Sequence, residues 1–324
     1  MILKNKVVFV YDVEIFPNVF HCIVKNTESK KYHYFEVSTR KNNIKDLIEF
    51  FSNTRDKIIC GYNNIHYDNP IINFILDYKD TCINTNYERV CRNLFNLSNI
   101  IILSKDNDGF NKWKKWKYAN NFETLDLLTL MFSQALRVGL KEMQITMRYN
   151  NVKEFTGKFN QMLDEKDIEE MIYYNKNDVD STEYLLYLQK DAIDLRLGIE
   201  KEFGVNVLSM DGMSIGTEIL KVKYLEKSGK TWNDIKNLRS PCDIIDLNEV
   251  IFPFIEYKTP VLQELLFEMK QQKVSPGRKG FEKHFLLGNL EVNVGVGGIH
   301  TKNEPEKIIP NNNERLLDSD VALA

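Results

Sequence analysis

Cysteine is scarce in this sequence, and its spacing does not suggest a bound metal. The 324 residues include five cysteines, an odd number, and no two of them form a Cys-x-x-Cys pair. Without such pairs a zinc site is not expected, and an odd count does not favour a disulfide framework. The cysteines are therefore expected to be buried or incidental thiols.

Long apolar runs are also missing. No stretch approaches the roughly 18 apolar residues that are needed to span a bilayer. The N-terminal residues Met1-Ile2-Leu3-Lys4 lack the hydrophobic region and the cleavage site of a signal peptide. These absences predict a soluble, non-exported protein that stays in the cytoplasm.

An excess of positive charge is absent as well, because the formal net charge is −3. A protein that binds nucleic acid by bulk electrostatics would be strongly basic. Any contact with DNA must therefore be local. Hydrophobic residues make up 43% of the chain and charged residues 27%, which is typical of a globular protein. A prior of about 150 residues per domain suggests two domains.

The residue pattern predicts a mixed α/β fold in the N-terminal part. The β-branched and aromatic residues 6–11 are typical of a buried strand, which would end at Asp12. Strands at 19–25 and 31–37 would form an antiparallel meander with it, and a fourth would follow at 57–60. Helices are predicted at 44–54, after Asn69-Pro70, and at 86–98, 124–136, 140–149 and 167–203, the last interrupted between Tyr174 and Asp178.

The character of the sequence changes near Gly204, beyond which most of the prolines lie. We place a domain boundary there, so that residues 1–204 form one domain and residues 205–324 form a smaller α+β region. Helices are predicted at 213–228 and 260–272. Residues 281–287 and 290–296 flank Gly288-Asn289, which predicts a β-hairpin with a two-residue turn.

The first of three acidic motifs is Asp12-Val13-Glu14. On a strand, residues i and i+2 point to the same side, so the two carboxylates could jointly hold a divalent ion. The alternative is a solvated strand end, because exposure is the default for acidic residues.

The second motif is Gly-Tyr-Asn-Asn-Ile-His-Tyr-Asp, which ends at Asp68 beside a helix start. Helix capping is the alternative function of this Asp. The third motif is Tyr174-Asn175-Lys176-Asn177-Asp178. Its i, i+4 spacing places the phenol of Tyr174 and the carboxylate of Asp178 on one helical face, although a single such pair is common by chance.

Taken together and in this order, the motifs resemble those of the proofreading exonuclease domain of family B, phage-type DNA polymerases. The motifs of that family are Asp-x-Glu, Asn-x3-Phe/Tyr-Asp within a Gly-Tyr-Asn context, and Tyr-x3-Asp, and all three are intact here. The resemblance implies a ribonuclease H-like (DnaQ-like) exonuclease fold with a mixed central sheet for residues 1–204. It also implies DEDDy-type 3′→5′ exonuclease activity on single-stranded or frayed DNA.

The resemblance further implies a site for two divalent cations, Mg²⁺ or Mn²⁺, held by four carboxylates. Asp12 would bridge both ions, Glu14 and Asp178 would bind the ion that activates water, and Asp68 would support the leaving-group side. Tyr174 would orient the attacking water. Hard oxygen ligands suit these cations, and clustered carboxylates repel one another unless cations are bound.

Other residues are candidates for contact with nucleic acid. The resemblance implies that Asn63 touches the frayed 3′ strand and that Tyr67 packs beneath the site. The segment 112–118 interleaves lysines with aromatic residues, which could neutralise phosphates and stack bases of a single strand. Its candidate residues are Lys112, Trp113, Lys115 and Trp116, and the alternative is a solvated basic strand.

Asp126 is a further acidic candidate, since it lies in Glu123-Thr124-Leu125-Asp126-Leu127-Leu128. A capping or structural function is at least as well favoured by this sequence, so Asp126 is left out of the metal set.

The C-terminal third extends the resemblance. Residues 249–272 and 294–301 look like the stretch that leads into the palm of phage-type DNA polymerases, and residues 316–322 look like the approach to the first polymerase carboxylate, with Asp320 in its place. The remainder of that motif, the fingers and the thumb do not follow, so this chain alone is not expected to polymerise. Expected partners are single-stranded or primer-template DNA and the remaining polymerase half.

Two alternatives stay open. One is a stand-alone DNA or RNA exonuclease of the same fold, because the motifs hardly distinguish the sugars. The other is a non-catalytic module that binds DNA or a replication partner, which predicts the loss of one or more carboxylates.

Overall fold

The computed structural model describes residues 1–106, 121–132, 138–155, 157–238, 243–275, 280–288, 290–295 and 298–302, together with residues 309, 311 and 315. The chain divides into two compact units, Met1–Lys230 and Thr231–Ala324. The first unit therefore includes the helix that follows the predicted boundary near Gly204.

The first unit is built on a mixed sheet, which has six strands in the described part of the chain. These strands are β1 (Ile2–Leu3), β2 (Lys6–Phe16), β3 (Val19–Asn26), β4 (Tyr32–Val37), β5 (Lys57–Gly61) and β6 (Thr124–Asp126). The order is β4-β3-β2-β5-β6, and β1 pairs with β2. The predicted antiparallel meander of β2, β3 and β4 is confirmed, whereas β5 and β6 add to β2 in parallel.

Helices cover both faces of this sheet. They are α1 (Ile44–Ser52), α2 (Asp68–Asp77), α3 (Lys79–Ile83), α4 (Tyr87–Asp106), α5 (Leu127–Met131), α6 (Leu140–Thr146), α7 (Glu165–Leu188), α8 (Lys190–Phe203) and α9 (Gly212–Ser228). Gly204 follows α8 with a φ of 66°, the left-handed conformation in which a glycine commonly terminates a helix.

The alternation of side chains along β2 separates two apolar cores. Phe9, Tyr11, Val13 and Ile15 belong to a core that also contains buried residues of α1, α2 and α4. Val8 and Val10 point to the opposite face, where they join buried residues of α7 and α8. Asp12 and Glu14 have the same parity as Val8 and Val10, so they emerge on the α7 side of the sheet.

The prediction that the first strand ends at Asp12 was wrong, because β2 continues to Phe16. The chain remains paired with β3 from Phe9 to Phe16, and Glu14 lies opposite His21. Val13, Ile15 and Phe16 are buried and stabilise this extension by packing. The two acidic residues interrupt the hydrophobic pattern without interrupting the strand, since tertiary packing outweighs local strand propensity.

Two helix predictions also need correction. The stretch 167–203 is not interrupted between Tyr174 and Asp178, because α7 runs unbroken through both residues and the break falls at Gln189. No Pro or Gly lies within α7 to break it. The stretch predicted as a helix from residue 124 begins instead as strand β6, since residues 124–126 pair with β5.

The second unit has its own small sheets. Its elements are α10 (Trp232–Ile235), β7 (Ile245–Asp246), α11 (Leu247–Val250), α12 (Pro260–Lys270), β8 (Lys273–Val274), β9 (Glu282–Leu287), β10 (Leu290–Gly295) and β11 (Gly298–Thr301). The predicted hairpin is confirmed, because β9 pairs antiparallel with β10. Leu265, Val292 and Val294 form its buried core.

Among the described helices, none is both long enough and apolar enough to cross a membrane.

Candidate active site

Motif one lies on the central strand of the sheet. Asp12 and Glu14 are two residues apart on β2 and therefore share one face. Both are partly exposed, although they lie between fully buried neighbours. Asn175 of α7 donates from Nδ2 to Oδ2 of Asp12 over 2.7 Å, which ties this strand to the helix that carries motif three.

Motif two brings Asp68 to the same strand, β2. Asp68 is the first residue of α2 and is buried, and its Oδ1 accepts a hydrogen bond from the backbone N–H of Val13 over 3.2 Å. The N-cap of α2 is Tyr67, and its side chain makes no capping hydrogen bond. Capping at the N-cap position is therefore not the function of Asp68.

The turn of motif two is shaped by its first glycine and by buried amides. A Cβ at Gly61 would lie 2.7 Å from the Cβ of Asn64, so a larger residue would displace that side chain. Asn64 is fully buried and donates from Nδ2 to the hydroxyl of Thr124 over 3.0 Å. The close approach of Gly61 and Asn64 thus fixes the path of the chain that leads to Asp68.

Motif three lies on one face of α7, where Tyr174 and Asp178 are one helical turn apart. Asp178 is buried and forms an ion pair with the ammonium group of Lys141 on α6. The same ammonium group lies 4.2 Å from the centre of the Tyr174 ring. Gln144, one turn further along α6, donates from Nε2 to Oδ1 of Asp178 over 2.9 Å.

These three segments enclose one cavity of about 380 Å³. Every residue predicted to be catalytic lines it, and so do both predicted nucleic-acid contacts that the structure describes: Asp12, Glu14, Asp68, Tyr174, Asp178, Asn63 and Tyr67. Phe95, Ser98, Asn99 and Ile102 of α4 also line the cavity, as do Phe159 and Asn160.

The electrostatics of the cavity are dominated by burial and by like charge. Burial raises the pKa of Asp12 well above its usual range, and the neighbouring carboxylates of Asp68, Glu14 and Asp178 raise it further. Burial also raises the pKa of Glu14 to about 8, with Asp178 and Asp68 adding to the effect. The positive charge of Lys141 and a hydrogen bond from Asn175 oppose the rise at Glu14.

Tyr174 shares this environment. Burial is the main cause of the rise in the pKa of its phenol, and the charges of Asp178, Glu14 and Asp12 raise it further. Tyr174 therefore stays protonated throughout the ordinary pH range and can donate a hydrogen bond toward the cavity.

The donor set fits a divalent cation in its chemistry, because four carboxylates face one cavity and Mg²⁺ and Mn²⁺ bind hard oxygen ligands. Within the described ranges, however, no three His, Cys, Asp or Glu side chains are arranged to hold a metal ion as they stand. One oxygen of Asp12 is engaged by Asn175, and one oxygen of Asp178 by Lys141 and Gln144. Each of these contacts uses a single oxygen of its carboxylate.

Lys141, Gln144 and Asn175 are site residues that the motifs did not reveal. Asn175 lies inside motif three, and its i, i+3 spacing from Asp178 is a signal that could have placed it on the face with the carboxylates. Lys141 and Gln144 are likewise i, i+3 on α6. No sequence signal connects α6 with α7, because their contact is tertiary.

Asp126 has a structural function, which the sequence favoured at least as well as a function in metal binding. It is fully buried, and its side chain accepts hydrogen bonds from the backbone N–H groups of Leu128 and Thr129, which makes it the N-cap of α5. It also accepts from the backbone N–H groups of Asn63 and Ile65 over 2.9 and 3.0 Å. Asp126 thereby holds the turn of motif two, and it does not line the cavity.

Of the remaining candidates for nucleic-acid contact, the structure describes Asn63 and Tyr67. Asn63 lines the cavity with its backbone in the left-handed region, at a φ of 61°. Tyr67 packs against the apolar core, and its hydroxyl is hydrogen-bonded to that of Ser98 over 2.7 Å. Lys112, Trp113, Lys115 and Trp116 lie outside the described residues, and so does Asp320.

Comparison with known proteins yields one structural similarity. The sequence matches no protein-family model and no curated protein. The fold is similar to the structure of the family B DNA polymerase from the hyperthermophilic archaeon Pyrobaculum calidifontis, with 15% sequence identity and a TM-score of 0.41. The similarity covers 63% of this chain and 26% of that polymerase, so this chain spans about a quarter of its length. A similarity at this level places the chain in no family.

Proposed function

We propose that this protein is a divalent-metal-dependent 3′→5′ exonuclease that hydrolyses the 3′-terminal phosphodiester of single-stranded or frayed DNA. The observation that carries the proposal is the convergence of three separate chain segments on one cavity. Asp12 and Glu14 come from β2, Asp68 from α2, and Tyr174 and Asp178 from α7. The intact order of the three motifs supports a further proposal, that the activity serves proofreading as part of a DNA polymerase.

The carboxylates Asp12, Glu14, Asp68 and Asp178 are the groups that would hold the cations. Bound divalent ions would supply a lowered pKa of the attacking water and stabilisation of the charge on the attacking and leaving oxygens. Tyr174 would orient the attacking water through its protonated hydroxyl. Asn63 would contact the terminal nucleotide, and Tyr67 would pack beneath the site.

The energetic cost of the cluster favours a functional explanation over a structural one. Burial and mutual repulsion destabilise the charged forms of Asp12 and Glu14, as their raised pKa values indicate. Asp126 is a carboxylate with a structural function in this protein, and its surroundings differ from those of Asp12 and Glu14. Four backbone N–H groups donate hydrogen bonds to it. The non-catalytic alternative predicts the loss of a carboxylate, and none of the four is missing.

Digestion of a 5′-labelled single-stranded DNA oligonucleotide in the presence of Mg²⁺ tests the activity. The wild-type protein should shorten the DNA one nucleotide at a time from the 3′ end. Asp12→Ala should remove this activity, and Tyr174→Phe should lower it about 10- to 100-fold because the water loses an orienting group. Tyr173→Phe is the matched control, since Tyr173 is 56% exposed and does not line the cavity. Absence of trimming, or equal trimming by Asp12→Ala, would contradict the proposal.

The substrate is tested with matched oligonucleotides. A proofreading function predicts faster removal of a mismatched 3′ nucleotide than of a paired one in the same primer-template. Equal rates on the two would contradict proofreading while leaving the exonuclease activity intact. An RNA strand of the same sequence distinguishes DNA from RNA hydrolysis, and faster trimming of RNA would reassign the substrate.

A further inference from the structure

Two buried amide side chains border the carboxylate cluster without lining the cavity. Asn175 and Gln144 both have no exposed surface. Asn175 donates from Nδ2 to Oδ2 of Asp12 over 2.7 Å, and Gln144 donates from Nε2 to Oδ1 of Asp178 over 2.9 Å. Each of the two carboxylates thus has one oxygen held by an amide that solvent cannot replace.

The orientation of these amides is set by the carboxylates. The carbonyl oxygens of both amides, Oδ1 of Asn175 and Oε1 of Gln144, are buried and have no hydrogen-bond partner among the described residues. Rotating either amide by half a turn would place that carbonyl oxygen against a carboxylate oxygen. A hydrogen bond to a charged acceptor is stronger than one between neutral groups. The amides therefore donate to the cluster although their own acceptors remain unsatisfied.

The contacts leave the carboxylates able to bind a cation. Asn175 engages a single oxygen of Asp12, and Gln144 engages a single oxygen of Asp178. Fixing one oxygen restricts the rotation of a carboxylate and directs the other. Residues that hold metal ligands in this way commonly affect the affinity for the metal about 10- to 100-fold.

We propose that Asn175 and Gln144 are positioning residues that hold Asp12 and Asp178 in place for divalent-cation binding, an inference that rests on the proposed function of those carboxylates. Ser181 supports the arrangement, because its hydroxyl accepts a second hydrogen bond from Nε2 of Gln144 over 2.7 Å. That hydroxyl in turn donates to the backbone carbonyl of Asp178 over 3.0 Å. Gln144 is thereby fixed to the same turn of α7 that carries its carboxylate.

Asn177 provides a matched control on the same helix. It is also buried, with 5% of its surface exposed, and its Nδ2 also has no partner among the described residues. Its Oδ1 accepts a hydrogen bond from Asn151 over 2.7 Å, so it serves a contact away from the four carboxylates. Replacing Asn177 changes packing and polarity as replacing Asn175 does, without removing a donor to Asp12.

The experiment measures Mn²⁺ binding to the full chain by electron paramagnetic resonance, without nucleic acid. Asn175→Ala and Gln144→Met should weaken Mn²⁺ binding about 10-fold or more, whereas Asn177→Ala should leave it within about 2-fold. Asn175→Ser, whose hydroxyl can still donate, should recover part of the loss. Thermal unfolding of each variant shows whether it is folded at the temperature of the measurement.

The outcomes separate this proposal from the proposed function. Wild-type affinity in Asn175→Ala and Gln144→Met, or an equal loss in Asn177→Ala, would overturn the positioning function whether or not the protein trims DNA. Weakened Mn²⁺ binding in the two variants, with no trimming by the wild-type protein, would support positioning and contradict the exonuclease. A wild-type protein that binds no Mn²⁺ would overturn both.

Discussion

The acidic side chains of the first unit differ in the groups that surround them and in the effect of those groups on their pKa values. Asp12 and Glu14 lie beside other carboxylates, and burial together with repulsion raises their pKa values. Burial raises the pKa of Asp126 as well, but backbone N–H groups of two segments donate to its carboxylate and oppose this rise. This difference distinguishes Asp126, which stabilises the fold, from the carboxylate cluster, whose negative charge a bound cation could neutralise.

His21 is a buried histidine next to this cluster, and its titration should be visible in the stability of the protein. Burial is the main cause that lowers its pKa to about 4, and the positive charges of Lys41 and Arg40 lower it further, whereas the negative charge of Glu36 opposes them. The folded protein thus binds the proton less readily than the unfolded chain, whose histidine has a pKa near 6.5. Stability is therefore lost as the pH falls from about 6.5 toward 4.

The measurement is urea unfolding of the wild type and of His21→Gln at pH 6.5, 5.5 and 4.5. The wild type should lose about 2 kcal/mol more than the variant between pH 6.5 and 4.5. Above pH 7 the difference between the two proteins should be independent of pH. Parallel curves over the whole range would show that His21 does not carry this linkage.

At the scale of elements, the placement of motif three depends on how α7 is fixed to the sheet. Lys25 of β3 has 8% of its surface exposed and forms ion pairs with Asp180 and Glu183 of α7 over 2.5 and 2.6 Å. Lys176 reaches Asp180 from within the helix over 2.7 Å. These contacts lie on the turns next to Tyr174 and Asp178, so they set the rotation of the helix about its axis.

Removing Lys25 should therefore destabilise the first unit. Lys25→Met leaves Asp180 and Glu183 without their shared partner, which should lower the free energy of unfolding by about 2 kcal/mol, less than for a fully buried pair because Asp180 is partly exposed. Chemical denaturation measures the change. The control is Lys190→Met, which removes an exposed i, i+4 pair with Asp194 and should leave stability unchanged within error. Equal effects of the two substitutions would contradict the function assigned to Lys25.

The elements also show which features local sequence predicts well. The meander of β2, β3 and β4 follows from short runs of β-branched and aromatic residues, and the hairpin of β9 and β10 follows from Gly288, which adopts a φ of 63°. The helix predicted at 124–136 is wrong for residues 124–126, which form strand β6, whereas Leu127–Met131 is helical. The strand conformation of β6 is determined by pairing with β5, which lies more than 60 residues earlier in the sequence.

The same division holds for the candidate site. Asp12, Glu14, Asp68, Tyr174 and Asp178 could be named from motif order, and the structure gathers all five around one cavity. Lys141 and Gln144 could not be identified as neighbours of the carboxylates, because their contacts with Asp178 arise when α6 and α7 pack together. Asn175 could be placed near Asp178 by its spacing, but its contact with Asp12 arises only when α7 packs against β2. Motifs record residue type and spacing, whereas packing decides which polar side chains complete the site.

At the scale of the whole molecule, the carboxylate cluster should make stability depend on divalent cations. A ligand that binds only the folded state raises the melting temperature by mass action. The wild-type protein should therefore melt at a higher temperature with Mg²⁺ or Mn²⁺ than with EDTA. Asp12→Asn should respond less to the cation, because it removes one of the four carboxylates that line the cavity.

In EDTA, Asp12→Asn should melt at a higher temperature than the wild-type protein. Without cations, Asp12→Asn relieves repulsion among clustered like charges, which should stabilise the protein by about 1 kcal/mol and raise its melting temperature by about 2–4 °C. Asp126→Asn is the control that reverses the sign. It weakens an acceptor of backbone hydrogen bonds, so it should lower the melting temperature by a similar amount in EDTA and in Mg²⁺. Calorimetry of the three proteins in both solutions decides the matter, because a structural carboxylate at position 12 would make Asp12→Asn behave like Asp126→Asn.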